Sequence, residues 1–318
     1  MDATTEIVSA LDPARVVAGM KALHPSMTVT TMRHEALVPG YLNDIEWNLY
    51  DEHHRIHVHD TYHDFFKVMN GRHFSVNTVR WGALPLFVQV ANGKIADGVF
   101  VQAMTILGVI VCTQVVELTQ VGEQVRIRID WYTASHWSLR WLHGLFNRRL
   151  RRLQEKQNVE DNVEIRQRRY ELRKLGFRFA TDAADFVNSN HLGDHVIIPA
   201  ATPAAVPLDS ISTTAVTPLT LGPVELLATR RNGGVTLWPS LCPHEGGRMT
   251  ERDLCGDIAQ CPWHGRKFPP VTLGPHGVAE WRFLNARIRL DGTRLVLEVL
   301  APDRRAERCQ APIPSARC

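Results

Sequence analysis

The chain has no strong charge bias, no cysteine framework, no internal repeat and no signal-like start, and each absence removes a class of protein. Its 36 Lys and Arg against 33 Asp and Glu leave a formal net charge of +3, too little by itself to imply a polyanionic partner. The six cysteines, Cys112, Cys242, Cys255, Cys261, Cys309 and Cys318, show no framework spacing. A disulfide scaffold is therefore not expected, and a reducing, cytoplasmic location fits better. The opening Met1-Asp2-Ala3-Thr4-Thr5-Glu6 lacks the basic segment of a secretory signal. The longest uncharged run, Val99 to Val116, approaches the length of a membrane span. It holds Gln102, Thr105, Gly108, Thr113 and Gln114 among many β-branched residues, so two buried strands joined at Gly108 are expected instead.

What is present is an ordinary globular composition, 44% hydrophobic and 22% charged, over 318 residues, enough for two domains. Residues 1–44 read as a lead-in, with a helix from Asp12-Pro13 to about Leu23. Residues 45–198 read as an α+β domain. Arg55 to His59 is expected to be extended, and a short helix with Phe65, Phe66 and Met69 as its apolar face is expected next. Strands follow at 87–90, 99–107, 109–118 and 125–131, the last alternating cleanly. Leu139, Leu142, Phe146, Leu150 and Leu153 share one face of a helix over about 137–155. A second helix over about 160–175 is ended by Gly176. Residues 199–219, with Pro199, Pro203, Pro207 and Pro218, read as a linker. An all-β domain covers 208–302, with hairpins at Asn232-Gly233 and Asp291-Gly292, and 303–318 reads as a tail.

The most specific feature lies between those hairpins. Cys242-Pro243-His244-Glu245-Gly246-Gly247 is followed by Cys261-Pro262-Trp263-His264-Gly265, that is, Cys-x-His, sixteen residues, then Cys-x-x-His. Each Pro/Gly-bounded loop supplies one thiolate and one imidazole. Zinc also takes a Cys2His2 set, but structural zinc sites usually pair like ligands within each loop.

Both loops resemble those of Rieske [2Fe–2S] domains, in which two His replace two Cys on one iron. The resemblance implies that Cys242 and Cys261 hold the inner iron, and His244 and His264 the outer one. Glycines 246, 247 and 265 would let backbone amides approach the cluster. Gly247 and Trp263 stand where respiratory Rieske proteins carry an extra disulfide. Arg266 and Phe268 stand where those proteins carry hydroxyl donors. The expected potential is therefore at the low end of the Rieske range, as in the oxygenase and ferredoxin branch. The element order over roughly 45–176, a sheet closed by one long helix, resembles the helix-grip fold of START and Bet v 1-like proteins. That is also the fold of the catalytic domain of Rieske ring-hydroxylating oxygenases.

Those oxygenases bind a mononuclear iron through two His and a carboxylate, and they carry the Rieske domain first, the reverse of the order here. Their motif has an acid, then His, then a second His five positions on. The nearest string identified is Asn188 to His195, giving His191 and His195 as one candidate pair. A second candidate region is Asp51 to His63. There His57 and His59 would share a strand face, and His59 and His63 would lie one turn apart on a helix starting at Asp60, which could equally act as a helix cap.

Residues 138–178 hold twelve Arg or Lys and five Asp or Glu, a net of +7 that leaves about −4 for the rest. Arg148, Arg149, Arg151 and Arg152 form its centre. Besides a solvated helix face, this stretch suits an acidic electron donor or an anionic membrane surface. No signal points to nucleic acid. Two functions follow. In the first, electrons from a ferredoxin or flavin reductase pass through the [2Fe–2S] cluster to oxidise an apolar small molecule, with a mononuclear Fe(II) in the N-terminal cavity. In the second, the protein is a non-enzymatic electron carrier whose N-terminal domain binds a ligand or partner.

Overall fold

The structure, a computed structural model, describes residues 12–23, 26–51, 54–59, 62–70, 74–81, 87–106, 108–179, 196–281 and 284–300. It divides into two compact units, residues 1–167 with 186–189 and residues 168–185 with 190–318. Among the described residues no helix is long and apolar enough to cross a membrane.

The first unit is built on one antiparallel sheet. After helix α1 (Pro13–Leu23) come β1 (Met27–Pro39), α2 (Leu42–Tyr50) and the single turn α3 (Arg55–Val58). Then follow β2 (Tyr62–Asn70), β3 (Phe74–Trp81), β4 (Phe87–Ala96), β5 (Val99–Ile106), β6 (Ile110–Val121) and β7 (Gln124–His136). Strands β2 to β7 form a meander, and β1 adds to the outer edge of β7, giving the order β1-β7-β6-β5-β4-β3-β2. The uncharged run is indeed two strands joined at Gly108, which has φ +68°, a value glycine adopts without steric cost.

Helix α4 (Arg140–Asp161) packs on this sheet, as expected for a helix-grip arrangement. Leu150 is buried with Ile127, Ile129 and Trp131, and Phe146 packs against them. A polar seam adds direction to the apolar contact. His143 Nδ1 lies 3.1 Å from Thr30 Oγ1 and its Nε2 lies 2.7 Å from Ser135 Oγ. Thr133 Oγ1 donates to Asn147 Oδ1 at 2.6 Å. Burial lowers the His143 pKa, helped by the nearby Arg140, so a neutral ring bridges two hydroxyls.

Four expectations change. Residues 27–39 are not part of a lead-in but the first strand, in register with β7 from Met27↔His136 to Pro39↔Gln124. Arg55 to Val58 is helical, because His57 and Val58 donate to the His54 carbonyl and His59 donates to that of Arg55. The expected helix carrying Phe65, Phe66 and Met69 is strand β2, paired with β3; ladder pairing has overridden the local apolar spacing. Between the expected two helices, Asn162–Arg166 is a π turn rather than a break. Helix α5 (Gln167–Lys174) follows, and Gly176 ends it with φ +88°.

The second unit is mainly antiparallel sheet. Strands β11 (Thr217–Leu221), β12 (Val224–Arg231), β13 (Gly234–Pro239) and β17 (Val271–Leu273) form one sheet. Strands β10 (Ala204–Pro207), β20 (Arg294–Val299), β19 (Ala286–Asp291) and β18 (Val278–Trp281) form another. Both predicted hairpins are present, between β12 and β13 and between β19 and β20. Leu226, Val235, Leu237, Ile288, Leu295 and Leu297 belong to the common core. The stretch 199–219 is not wholly linker: Ala204–Pro207 pairs with β20 and Thr217–Leu221 with β12. Residues 303–318 lie outside the described residues.

Replacing Leu150 by Ala is expected to destabilise the first unit by about 2–5 kcal/mol, the cost of a cavity in a packed core. Urea unfolding followed by circular dichroism measures this as a lower midpoint at unchanged slope.

Two candidate metal centres

In the second unit, the two Cys/His loops are copies of one backbone design. The first is closed by the bridge Leu241↔Arg248. The second joins β15 (Ile258–Gln260) to β16 (Lys267–Phe268), closed by the pair Gln260↔Lys267. Cys242 N–H donates to the Gly247 carbonyl at 2.8 Å and Gly246 N–H to the Cys242 carbonyl at 2.9 Å. Nineteen residues on, Cys261 N–H donates to the Arg266 carbonyl at 2.7 Å and Gly265 N–H to that of Cys261 at 2.8 Å. The shared frame needs a left-handed residue four after each Cys, and Gly246 (φ +87°) and Gly265 (φ +64°) supply it.

Both cysteines are buried, and the rings of His244 and His264 stand 5.2 Å apart at 82°. Backbone amides of Glu245 and His244 face the Cys242 sulfur, and those of Trp263 and His264 face the Cys261 sulfur. Burial raises the Cys242 pKa, but the Cys261 thiol and these amides outweigh it, and the net shift is downward. The Cys242 contact, then burial, pushes Cys261 well upward. Both Nδ1 atoms are buried. Glu245, only 1% exposed, places Oε1 3.6 Å from His244 Nε2 and Oε2 3.5 Å from His264 Nε2. Two sulfurs with amides aimed at them, and two imidazoles held through Nε2, suit a metal cluster with sulfur on one side and nitrogen on the other. The loop is braced from outside by Arg168, which donates to the Gly246 carbonyl at 3.3 Å and to Glu225 Oε2 at 2.8 Å. Cys255 is exposed and stands apart from the set.

The first unit holds a second set. His54 and His59 flank α3, and Asp161 is the last residue of α4; they are 2%, 3% and 9% exposed. Asp161 Oδ1 lies 3.3 Å from His54 Nε2 and 3.2 Å from His59 Nε2. Among the described residues that oxygen nevertheless accepts no aligned hydrogen bond. Three ligand atoms within 4.8 Å of one another therefore face a common point. Behind them, His59 Nδ1 lies 2.7 Å from Glu160 Oε2 and His54 Nδ1 lies 3.5 Å from Asp51 Oδ2. Carboxylates behind metal-binding imidazoles fix the tautomer and ring angle. Arg166 Nη2 lies 3.6 Å from Asp161 Oδ2. Burial alone would lower the His54 pKa, but the carboxylates of Asp161 and Asp51 dominate and raise it to about 9. Burial would raise that of Asp161, but His54 and His59 outweigh it and hold it far below the usual carboxylate range. Two imidazole nitrogens and one carboxylate oxygen are a donor set that would hold a divalent iron.

This set opens on a cavity. Its lining includes His54, His59 and Asp161 together with Val79, Val88, Phe100, Met104, Val116 and Ile129. Of the second-metal candidates read from sequence that lie among the described residues, His59 alone takes part. His57 is exposed on α3, because a helical turn, not a strand, separates it from His59. His63 lies on β2, which places it on a sheet strand instead of one turn beyond His59. His191 and His195 lie outside the described residues. His54 and Asp161 were missed. Asp51, His54 and His59 have the acid-then-two-His pattern with the His pair five positions apart; that spacing was the available signal. Asp161 had none, since a hundred residues separate it from the pair.

No protein-family model matches the chain, and no curated protein matches it. Among solved structures, it is similar to truncated norcoclaurine synthase from Thalictrum flavum, at 14% identity over 38% of this chain and 84% of that one, TM-score 0.33. It is similar to the Mll3558 protein from Rhizobium loti at 19% identity, over 42% and 99%, TM-score 0.34. It is also similar to the di-domain aromatase/cyclase StfQ of the steffimycin pathway at 13% identity, TM-score 0.36; this match covers 50% of the chain and 56% of StfQ. Nothing about the chemistry of this chain follows from likenesses at that level.

Two outcomes are expected. An added Cβ at Gly247 would stand 2.9 Å from the Trp263 ring and 3.1 Å from Cys261 Sγ, so Gly247→Ala displaces the second loop. The variant should be purified with less than half the wild-type iron, measured by colorimetric assay. In the first unit, a metal must displace the His54 proton. Because that pKa is raised to about 9, Co(II) affinity should rise about tenfold per pH unit up to pH 9 and then level off. Titration followed by visible absorption checks the slope, which His54→Ala should remove.

Proposed function

We propose that this chain is an oxygenase-like oxidoreductase with a Rieske-type [2Fe–2S] domain in its second unit and a mononuclear iron site in its first. The observation that carries the reading is the His54–His59–Asp161 set, buried beside a cavity with an apolar portion of its lining, in the same chain as the doubled Cys/His loop. Cys242 and Cys261 would hold one iron of the cluster and His244 and His264 the other. His54, His59 and Asp161 would hold the mononuclear iron. When bound, the cluster supplies one-electron transfer and the iron supplies a redox-active metal with open positions.

The residues of the chain do the remaining work. Asp51 and Glu160 orient the two imidazoles. Arg166 balances the outer oxygen of Asp161, which keeps a buried carboxylate ionised. The apolar lining excludes water from the reacting face. Hydroxylation of a C–H bond would consume O2, two electrons and two protons and release water. The electrons would come from a ferredoxin or flavin reductase. Exposed Arg148, Arg149, Arg151 and Arg152 support an acidic donor, and exposed Trp141 and Leu145 on the same helix would also suit an anionic membrane surface. No nucleic-acid partner is proposed, and the location inferred from cysteine usage is the cytoplasm. A purely electron-carrying role leaves the buried His54–His59–Asp161 set without a purpose.

Anaerobically purified protein should contain about three irons and about two acid-labile sulfides per chain. His54→Ala with Asp161→Ala should bring iron to about two while leaving sulfide and the visible spectrum unchanged. Two irons in the unaltered protein would sink the oxygenase reading, and a colourless zinc protein would overturn the cluster as well.

A further inference from the structure

The floor of the first-unit cavity carries a row of uncharged polar side chains. Asn92 on β4 is opposite Gln102 on β5, Gln102 is opposite Gln114 on β6, and Gln114 is opposite Trp131 on β7. Opposed residues of antiparallel strands present their side chains on the same face, so four neighbouring strands place these groups at one level. All four line the cavity, and Asn92, Gln114 and Trp131 are buried. Among the residues that line the cavity, the levels on either side are apolar. Two residues along lie Val90 and Met104, opposite each other. Two residues the other way lie Phe100, Val116 and Ile129, again in one row.

A polar stripe between two apolar stripes is costly to bury unless something bonds to it. Asn92 Nδ2 donates to the Leu49 carbonyl at 3.1 Å. The indole N–H of Trp131 is buried and, among the described residues, has no hydrogen-bond partner. Indole can only donate, so its missing partner is an acceptor. The charged and titratable lining residues, His54, Arg55, His59, Asp161 and Arg166, belong to the helical wall and not to this sheet, and His54, His59 and Arg166 there already face the Asp161 carboxylate.

We propose that the Asn92–Gln102–Gln114–Trp131 stripe is the specificity determinant of the cavity, and that it selects a neutral, largely apolar molecule carrying an acceptor oxygen, a ketone or hydroxyl. Pure hydrocarbons and carboxylates are disfavoured. The former leave the Trp131 N–H unsatisfied, and the latter bring a charge that the stripe does not balance. This inference rests on the reading of the cavity as a substrate site, but not on any metal being bound.

The test is direct binding by the full-length protein, measured by calorimetry with three compounds of one shape: indane, 1-indanone and indane-1-carboxylate. The ketone should bind at least about tenfold more tightly than either of the others. Gln102→Leu and Trp131→Phe should each reduce the ketone-to-hydrocarbon ratio to within about threefold of unity, by weakening ketone binding, strengthening indane binding, or both. Gln102 is only half-buried, so its variant guards against a failure of Trp131→Phe to fold, which a thermal melt reports. Equal binding of ketone and hydrocarbon, binding of neither, preference for the carboxylate, or a ratio that survives both variants overturns the proposal. Iron and sulfide content, measured on the same preparation, judges the oxygenase reading separately. A ketone preference in protein without mononuclear iron would keep this inference and discard that one.

Discussion

A buried carboxylate shared by two imidazoles is the constraint that organises the first unit. Asp161 ends α4, and the two histidines flank a single helical turn more than a hundred residues earlier. Six of the seven strands of the sheet, β2 to β7, lie between them in sequence. An ionised group buried to this degree is tolerable only with its partners in place. His54 and His59 meet one oxygen and Arg166 approaches the other. The apolar contact of Leu150 and Phe146 with β7 brings the helix down onto the sheet, and the His143–Asn147 seam sets its register. The carboxylate therefore depends on the packing, and the cavity depends on both.

The second unit solves its problem by repetition. Two loops with the same backbone hydrogen bonds, nineteen residues apart, each deliver one sulfur and one imidazole. Duplication explains why glycine recurs four residues after each Cys, and why the fifth position can differ. Gly247 lies against Trp263 and Cys261 Sγ, where no side chain fits, while Arg266 occupies the corresponding place in the other loop. Glu245 then joins the two loops by facing both imidazoles.

Legibility in the sequence followed the range of the interaction. Hairpins with Asn-Gly and Asp-Gly turns, the strands around Gly108 and the apolar face of α4 were readable, because each depends on residues within a few positions. The expected helix at Phe65 and Phe66 was a strand. Its apolar spacing was ambiguous, and pairing with β3 decided it. The extended reading of Arg55 to His59 failed because local hydrogen bonds to the His54 and Arg55 carbonyls close a helical turn there, which sets His57 and His59 on different sides. His54 was legible through its five-residue spacing to His59, although the string Asn188 to His195 offers a competing pair of histidines.

The sequence by itself determined the pairing of the two cysteine and histidine loops, because four candidate ligands and their glycines lie within two short, similar segments. It determined the alternation that makes the sheet two-faced. Only the tertiary structure decided the second set of ligands, the cavity and its polar stripe. Asp161 is a carboxylate at a helix end like many others until the sheet carries it to His54 and His59. Asn92, Gln102, Gln114 and Trp131 are four unremarkable residues on four strands, and strand register, set by long-range pairing and not by local spacing, is what makes them one row.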